Sequence, residues 1–351
     1  MNLLIKRIWL LPALALVLDG CGSSETAVKP EETLGYQSYT PPESQSTAPP
    51  QNYRRYKPLS QPRKYTSSQI GEFEKPAELA PAVDFWRKTY VEWSRSEASI
   101  HDDRYLDVVY EVMEIPGYVG ESLTSEQKDM VRQRREYWQA RLSALENKVR
   151  YNVALDDNER DLIDKLQAGG KTIEGFLYGA AERVRSQRGT RERFMKGLEI
   201  SRQYESQFRK IFRDAGLPED LALLPHVESS FQPSAKSSAG AIGMWQFTKG
   251  AAKTFMPGKR VDLCLDPIAS TVGAANYLSY AYNKLGDWPT AITSYNHGIG
   301  GMKRAQNTVG RDFVRIVKAY HGPAFGFASR NYYAQFLAAL EITNNPEQYI
   351  R

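Results

Sequence analysis

Glu228 is the residue where chemistry can first be argued. The stretch Leu217-Pro218-Glu219-Asp220 reads as a helix start, with proline near the first turn and acids where the dipole favours them. Leu221, Leu224 and Glu228 then fall at i, i+3 and i+7. That spacing puts the glutamate on the apolar side of a short helix, near its C-terminal end. Desolvation and the negative end of the dipole both favour its protonated form. A carboxylic acid held neutral near neutral pH can protonate a glycosidic oxygen. A capped or salt-bridged glutamate at a helix end is the plainer reading of the same pattern.

Two further segments carry groups of the right type. Ser237-Ser238-Ala239-Gly240-Ala241-Ile242-Gly243-Met244-Trp245-Gln246 is a small-residue loop ending in an aromatic and an amide. Its glycines let backbone approach a ligand, and Trp245 and Gln246 offer an apolar wall and a hydrogen-bonding group; a tight turn against the core fits as well. Ser294-Tyr295-Asn296-His297-Gly298 ends a short helix with a tyrosine and an asparagine where the backbone turns. Asp266-Pro267 reads as the cap of a helix carrying Ile268, Val272, Ala275, Tyr282 and Leu285, with Gly286 after it. The four histidines (His101, His226, His297, His321) lie far apart, and no zinc-type Cys/His spacing occurs.

The elements that must hold these groups read as helical throughout. Phe85, Trp86, Thr89, Tyr90 and Trp93 recur at three- and four-residue spacings, followed by Tyr105, Val108, Val109 and Val112. Thr124 with Gln127, and Asp156 with Glu159, form capping boxes. Gly169-Gly170 marks a break. Thr190 opens a helix through Phe194, Leu198, Phe208 and Phe212, which Gly216 can close, and Ser329 caps a last helix with Tyr332, Tyr333, Phe336, Leu337 and Leu340. No sustained strand pattern or fixed repeat is visible. The reading is an all-α protein, with a helical scaffold over residues 76–213 and a chemistry-bearing domain over 214–351.

Upstream, residues 1–20 read as a signal peptide: Lys6 and Arg7 precede the apolar run Ile8 to Leu18, too short to span a bilayer. Leu18-Asp19-Gly20-Cys21 is similar to the bacterial lipobox, with Asp19 the departure from it, and implies acylation of Cys21. Gly22 then favours the outer membrane. Residues 21–75 are rich in Pro, Ser, Gln and Thr and form a flexible tether. The net charge of +5 is mild, and the basic run Arg183 to Arg213 is interleaved with glutamates, which argues against nucleic acid as a partner.

Val227-Glu228-Ser229, Gly243-Met244-Trp245-Gln246 and Ser294-Tyr295-Asn296 together resemble the E-S, G-L-M-Q, A-Y-N series of the lytic transglycosylase catalytic domain, a relative of goose-type lysozyme. Phe85-Trp86-Arg87-Lys88 through Asp107-Val108-Val109-Tyr110 resembles the N-terminal region of membrane-bound lytic transglycosylases of the D type. The resemblance implies a lysozyme-like helical fold and non-hydrolytic cleavage of the N-acetylmuramic acid–N-acetylglucosamine bond of peptidoglycan. It makes Glu228 the acid/base and Ser229 its helix-end neighbour. Ser237 and Gln246 match sugar-contacting positions, Tyr295 the tyrosine facing the glutamate, and Asn296 the asparagine beside it. Trp245 stands where the series has methionine, and Ala328-Ser329-Arg330-Asn331-Tyr332 resembles an E-T-R-x-Y stretch that has lost its glutamate. No metal or organic cofactor is implied; the partners are peptidoglycan glycan strands and, through the lipid anchor, a membrane facing the periplasm. Two other readings stay open: a lysozyme-like hydrolase using Asp262 or Asp266 as base, and an inactive wall-binding lipoprotein.

Overall fold

Proline in its first turn starts α1 (Ala80–Val91), which buries Val83, Phe85, Trp86, Thr89 and Tyr90 as their spacing requires. The computed structural model describes residues 73–167 and 172–350; the leader, Cys21, nearly all of the tether and the Gly169-Gly170 break lie outside the described residues.

After α1 the chain departs from the helical reading. β1 (Glu97–Asp102), β2 (Val109–Glu114) and β3 (Val184–Arg188) form an antiparallel sheet in the order β2-β1-β3. Val109 and Val112 therefore belong to a strand. The reason is physical: β1 is central and covered on both faces, so it is buried along nearly its whole length and shows no alternation. In so short a stretch, β-branched residues fit either period.

One face of the sheet packs on α2 (Ser125–Arg150), α3 (Asp157–Gln167) and α4 (Ile173–Leu177), around a core that includes Ile100, Trp138, Leu142, Phe176 and Val184. Both capping boxes are present, Thr124 with Gln127 and Asp156 with Glu159. On the other side His101 sits between Phe85 and Phe327. There the sheet meets a larger core.

That larger core is helical. The single helix expected from Thr190 to Gly216 is two, α5 (Arg191–Ser201) and α6 (Glu205–Asp214), and the Thr190 hydroxyl donates to the Thr89 carbonyl instead of capping α5. Gly216, left-handed at φ 68°, follows α6 as expected. The chain continues through α7 (Pro225–Glu228), α8 (Lys249–Phe255), α9 (Pro267–Leu285) and α10 (Trp288–His297). α11 (Ile299–Val309), α12 (Phe313–Ala319), α13 (Phe327–Asn344) and α14 (Pro346–Tyr349) complete it. α13 is the axis: α1, α7 and α10 all pack on it. Ser329 lies inside α13 and is not its cap, because the helix already begins at Phe327. Phe73, Phe85 and Phe194 share one continuous core with Leu221, Trp245 and Phe336. The boundary read near residue 214 thus falls inside a core, and the separately packed layer is the outer face of the sheet with α2 to α4.

Candidate active site

The backbone reaches Glu228 through a 3-10 turn (Glu219–Leu223) followed by the single turn of α7, with Pro225 at its start. Leu221 and Leu224 are fully buried and Glu228 is 2% exposed. No Lys, Arg or His forms an ion pair with it among the described residues. Among the described residues its carboxyl takes one hydrogen bond, from the Tyr332 hydroxyl, which donates to Oε1. Burial pushes the carboxyl up to about 8, against the opposing pull of the Tyr332 bond. Desolvation is the cause; α7 spans four residues, so the helix dipole expected to help is short.

The turn after the acid is strained. Ser230 and Phe231 both lie in the left-handed region, at φ 53° and 57°, where each non-glycine residue costs about 1–2 kcal/mol. Packing holds it: Phe231 is fully buried, stacks on Phe208 and touches the His226 ring at 4.5 Å. Ser229 is buried, and its hydroxyl donates to the Met244 carbonyl at 2.8 Å. It therefore ties the acid's turn to the Gly243–Gln246 segment.

That segment depends on Gly243. Its φ is 80°, and a Cβ there would sit 2.1 Å from the Cys264 carbonyl oxygen. Of the two readings open for Trp245, a groove wall and a turn packed on the core, the structure shows the second. Trp245 is fully buried between Phe208 and Phe212, and its Nε1 donates to Thr271 Oγ1 at 2.8 Å, because an indole this enclosed must satisfy its N–H internally. Gln246 is buried; its Nε2 donates to the carbonyls of Gly243 (2.8 Å) and Ala235 (3.2 Å), and its Oε1 has no partner among the described residues. Ser237 is half-buried at the mouth of the loop, where its hydroxyl accepts from the Ala241 N–H at 3.0 Å.

Tyr295 donates to the Trp245 carbonyl at 3.0 Å, so the hydroxyl bonded to Glu228 is that of Tyr332. Burial, with the glutamate's charge adding to it, raises the pKa values of Tyr90, Tyr277 and Tyr295 and keeps the phenols protonated. Asn296 is buried, and its Oδ1 accepts from Ser329 Oγ at 2.7 Å. Asp266 caps α9 through the Ile268 and Ala269 N–H groups. Asp262 pairs with Arg260 at the surface, which holds its carboxyl below the usual range. Among the described residues no group of three His, Cys, Asp or Glu is placed to hold a metal ion.

Sequence reasoning did not single out Tyr332 as a site residue. The signal was present, since Tyr332 closes the Ala328-Ser329-Arg330-Asn331-Tyr332 stretch. The upstream tryptophans and tyrosines, which suit either a sugar groove or a core, read as part of a scaffold. A cavity of about 40 Å³ beside Glu228 is lined by Trp86 and Tyr90 of α1, Thr190 before α5, Arg193 of α5 and Gln335 of α13. Among the described residues, Trp86 Nε1, Gln335 Nε2 and both His226 ring nitrogens are buried there without a partner. The region read as scaffold builds one side of the acid's surroundings.

A buried, phenol-bonded glutamate closing a short helix, tied by a serine to a Gly-Met-Trp-Gln turn, is the arrangement against which relatives can be compared. Residues 208–313 match the Transglycosylase SLT domain. The SLT segment includes Glu228, Ser237, Gln246, Tyr295 and Asn296, whereas Tyr332 lies beyond it and Trp86 and Arg193 precede it. The membrane-bound lytic murein transglycosylase D of Escherichia coli (strain K12) is 31% identical over 144 residues, covering 38% of this chain and 30% of that protein. The peptidoglycan transglycosylase gp16 of Escherichia phage T7 is 36% identical over 110 residues, 29% of this chain and 8% of its own length. The chain thus spans less than a third of either relative. A solved structure of the lytic transglycosylase Slt from Pseudomonas aeruginosa, in an inactive mutant form, aligns with a TM-score of 0.35 at 18% identity, over 42% of this chain and 24% of that one.

Proposed function

We propose that this protein is a peptidoglycan lytic transglycosylase in which Glu228 is the only catalytic carboxylate. The observation that carries the reading is the setting of Glu228: buried, bonded by Tyr332 and without an ion-pair partner among the described residues, so that burial pushes its carboxyl up to about 8. Glu228 is also the one carboxylate lining its cavity among the described residues. An inverting hydrolase would need a second carboxylate about 6.5–9.5 Å away to activate water. Asp266 is engaged as a helix cap and Asp262 by Arg260. The SLT match and the named activities of the relatives support the same substrate.

The steps balance with one acid/base. Glu228 gives its proton to the oxygen linking N-acetylmuramic acid to N-acetylglucosamine, and that C–O bond breaks with its electron pair leaving on the departing sugar. Positive charge develops at the muramyl C1. The carboxylate then removes the proton of the same sugar's C6 hydroxyl, whose oxygen bonds to C1. The product is a 1,6-anhydromuramyl end, and Glu228 is protonated again. Intramolecular attack gains from proximity, so no activated water is required. Tyr332 stabilises the carboxylate formed between the two steps. Ser237, Gln246, Tyr295 and Asn296 are assigned to sugar binding and Ser229 to holding the acid's turn.

The test is cleavage of purified peptidoglycan by Glu228→Gln, which removes the acid and keeps the shape. A folded variant retaining more than about one per cent of parental turnover would overturn the assignment. Cleavage lost in Asp262→Asn or Asp266→Asn, with glycan still bound, would instead reveal a water-activating base.

The proposal extends to location: acylation at Cys21 would hold the enzyme to the periplasmic face of the envelope, at the outer membrane. The lipobox-like Leu18-Asp19-Gly20-Cys21 and the relative named membrane-bound support it. Cys21→Ser should then move the protein to the soluble periplasmic fraction, and unchanged membrane association would contradict acylation there.

A further inference from the structure

Arg193 is a half-buried cation beside the acid with most of its donors uncommitted. It projects from α5 into the cavity that holds Glu228, and also lines the groove adjoining it, next to Arg95, Gly120 and Arg188. A guanidinium has five N–H donors. Among the described residues, Arg193 gives one hydrogen bond, to the Ser229 carbonyl at 3.3 Å. Its ion pair is long, 3.7 Å to Glu121, a side chain that is 69% exposed and is shared with Arg95. The other arginines of the groove are occupied. Arg188 spends Nε, Nη1 and Nη2 on the carbonyls of Arg95, Glu121 and Gly120, and Arg95 pairs with Glu192 and Glu121.

The fold is built to bring Arg193 there. Gly197, one turn further along α5, has no Cβ, and one would lie 2.7 Å from the Ser230 carbonyl oxygen. α5 can therefore press against the strained turn behind Glu228, and Arg193, on the same helix face, reaches the residue next to the acid. Its charge does not set the proton affinity of Glu228, which burial and Tyr332 govern. A cation held out of water with a weak partner favours an incoming anion, and a guanidinium matches a carboxylate in bidentate geometry.

We propose that Arg193 binds a carboxylate carried by the glycan strand and so registers the carboxylated sugar against Glu228. The proposal rests on the peptidoglycan reading above. The carboxylate has two possible sources: the lactyl group of a peptide-free muramyl residue, or the peptide attached to it. Arg193 is then a specificity residue supplied by α5, upstream of the three motifs.

The experiment measures binding in the Glu228→Gln background, so that no cleavage intervenes. Three probes are used: peptide-free glycan strands, the same strands with lactyl carboxylates converted to amides, and peptide-bearing strands. If the lactyl group is the source, amidation should weaken binding by about tenfold or more with Arg193 present and by less than about twofold with Arg193→Met; if the peptide is the source, Arg193→Met should instead weaken binding of the peptide-bearing strands by about tenfold or more. Arg193→Lys should keep part of the sensitivity, since it keeps the charge without the fork. Peptide-free strands binding tighter than peptide-bearing strands assign the lactyl group, and the reverse order assigns the peptide. Equal sensitivity to amidation with and without Arg193, together with unchanged affinity of Arg193→Met for peptide-bearing strands, in proteins of matched circular dichroism, would overturn the proposal, because Arg193 would then only clip the Ser229 carbonyl. Failure of all three probes to bind would overturn the glycan reading and this proposal with it.

Discussion

Glu228 pays for its readiness as an acid in stability. Its folded pKa of about 8 lies above the ordinary 4.5, so the folded protein keeps a proton that the unfolded chain releases between those values. This contribution to stability is full below about pH 4.5 and is lost as pH rises through about 8. Glu228→Gln should therefore melt higher than the parent at pH 7, by an amount on the order of 3 kcal/mol, with the gap closing towards pH 4.5; a gap independent of pH would contradict the raised pKa. Turnover should show an alkaline limb near pH 8, where the acid ionises. Tyr332→Phe tests the one hydrogen bond on the carboxyl. The hydroxyl favours the ionised form, so its loss should move that limb to higher pH and lower kcat by roughly ten- to a hundredfold. An unmoved limb would mean that Tyr332 does not act on Glu228. The apolar face that carries the glutamate was legible from spacing, although the same spacing suited a capped or salt-bridged side chain. Its phenolic partner was not, because it comes from a helix 104 residues further along the chain.

At the level of elements, what the sequence disclosed depended on how local the cause was. Capping boxes, the Asp266 cap and the Gly216 stop follow from neighbouring residues and are present in the structure. The sheet was missed because β1 gains its identity from partners on both sides, which no local period records. Trp245 could not be placed from the sequence, which suited a groove wall and a core turn equally, for a related reason. An aromatic next to a glycine turn suits a groove wall, but Phe208 and Phe212 of a distant helix enclose it. Ser329 has a cap's composition yet bonds Asn296, three helices away in the chain. Two loop glycines separate conformational cost from close approach. Gly240 and Gly243 both have φ near 80°, but nothing lies within 4 Å of a Cβ at Gly240. Gly240→Ala should cost about 1 kcal/mol, whereas Gly243→Ala should cost several, from the clash with the Cys264 carbonyl. Equal melting temperatures for the two variants would show that this turn yields more easily than its packing implies.

For the whole molecule, the acid's helix cannot be separated from what precedes it. The core around Glu228 draws on Phe85 and Trp86 of α1, Phe194 of α5 and Phe208 and Phe212 of α6, all upstream of residue 214. Burying each such aromatic is worth about 1.5–3 kcal/mol, so a chain starting at residue 214 should fail to give a cooperative thermal transition. A chain starting at residue 73 should keep one. A cooperative, active 214–351 fragment would show that the upstream helices merely cover the domain. The central claim is that this assembly uses one carboxylate to cleave without water. It is tested most directly by digesting purified peptidoglycan in ¹⁸O-labelled water and weighing the muramyl ends by mass spectrometry. The account predicts 1,6-anhydro ends, lighter than hydrolysed ends by one water and free of label. Reducing muramyl ends carrying ¹⁸O at C1 would contradict it.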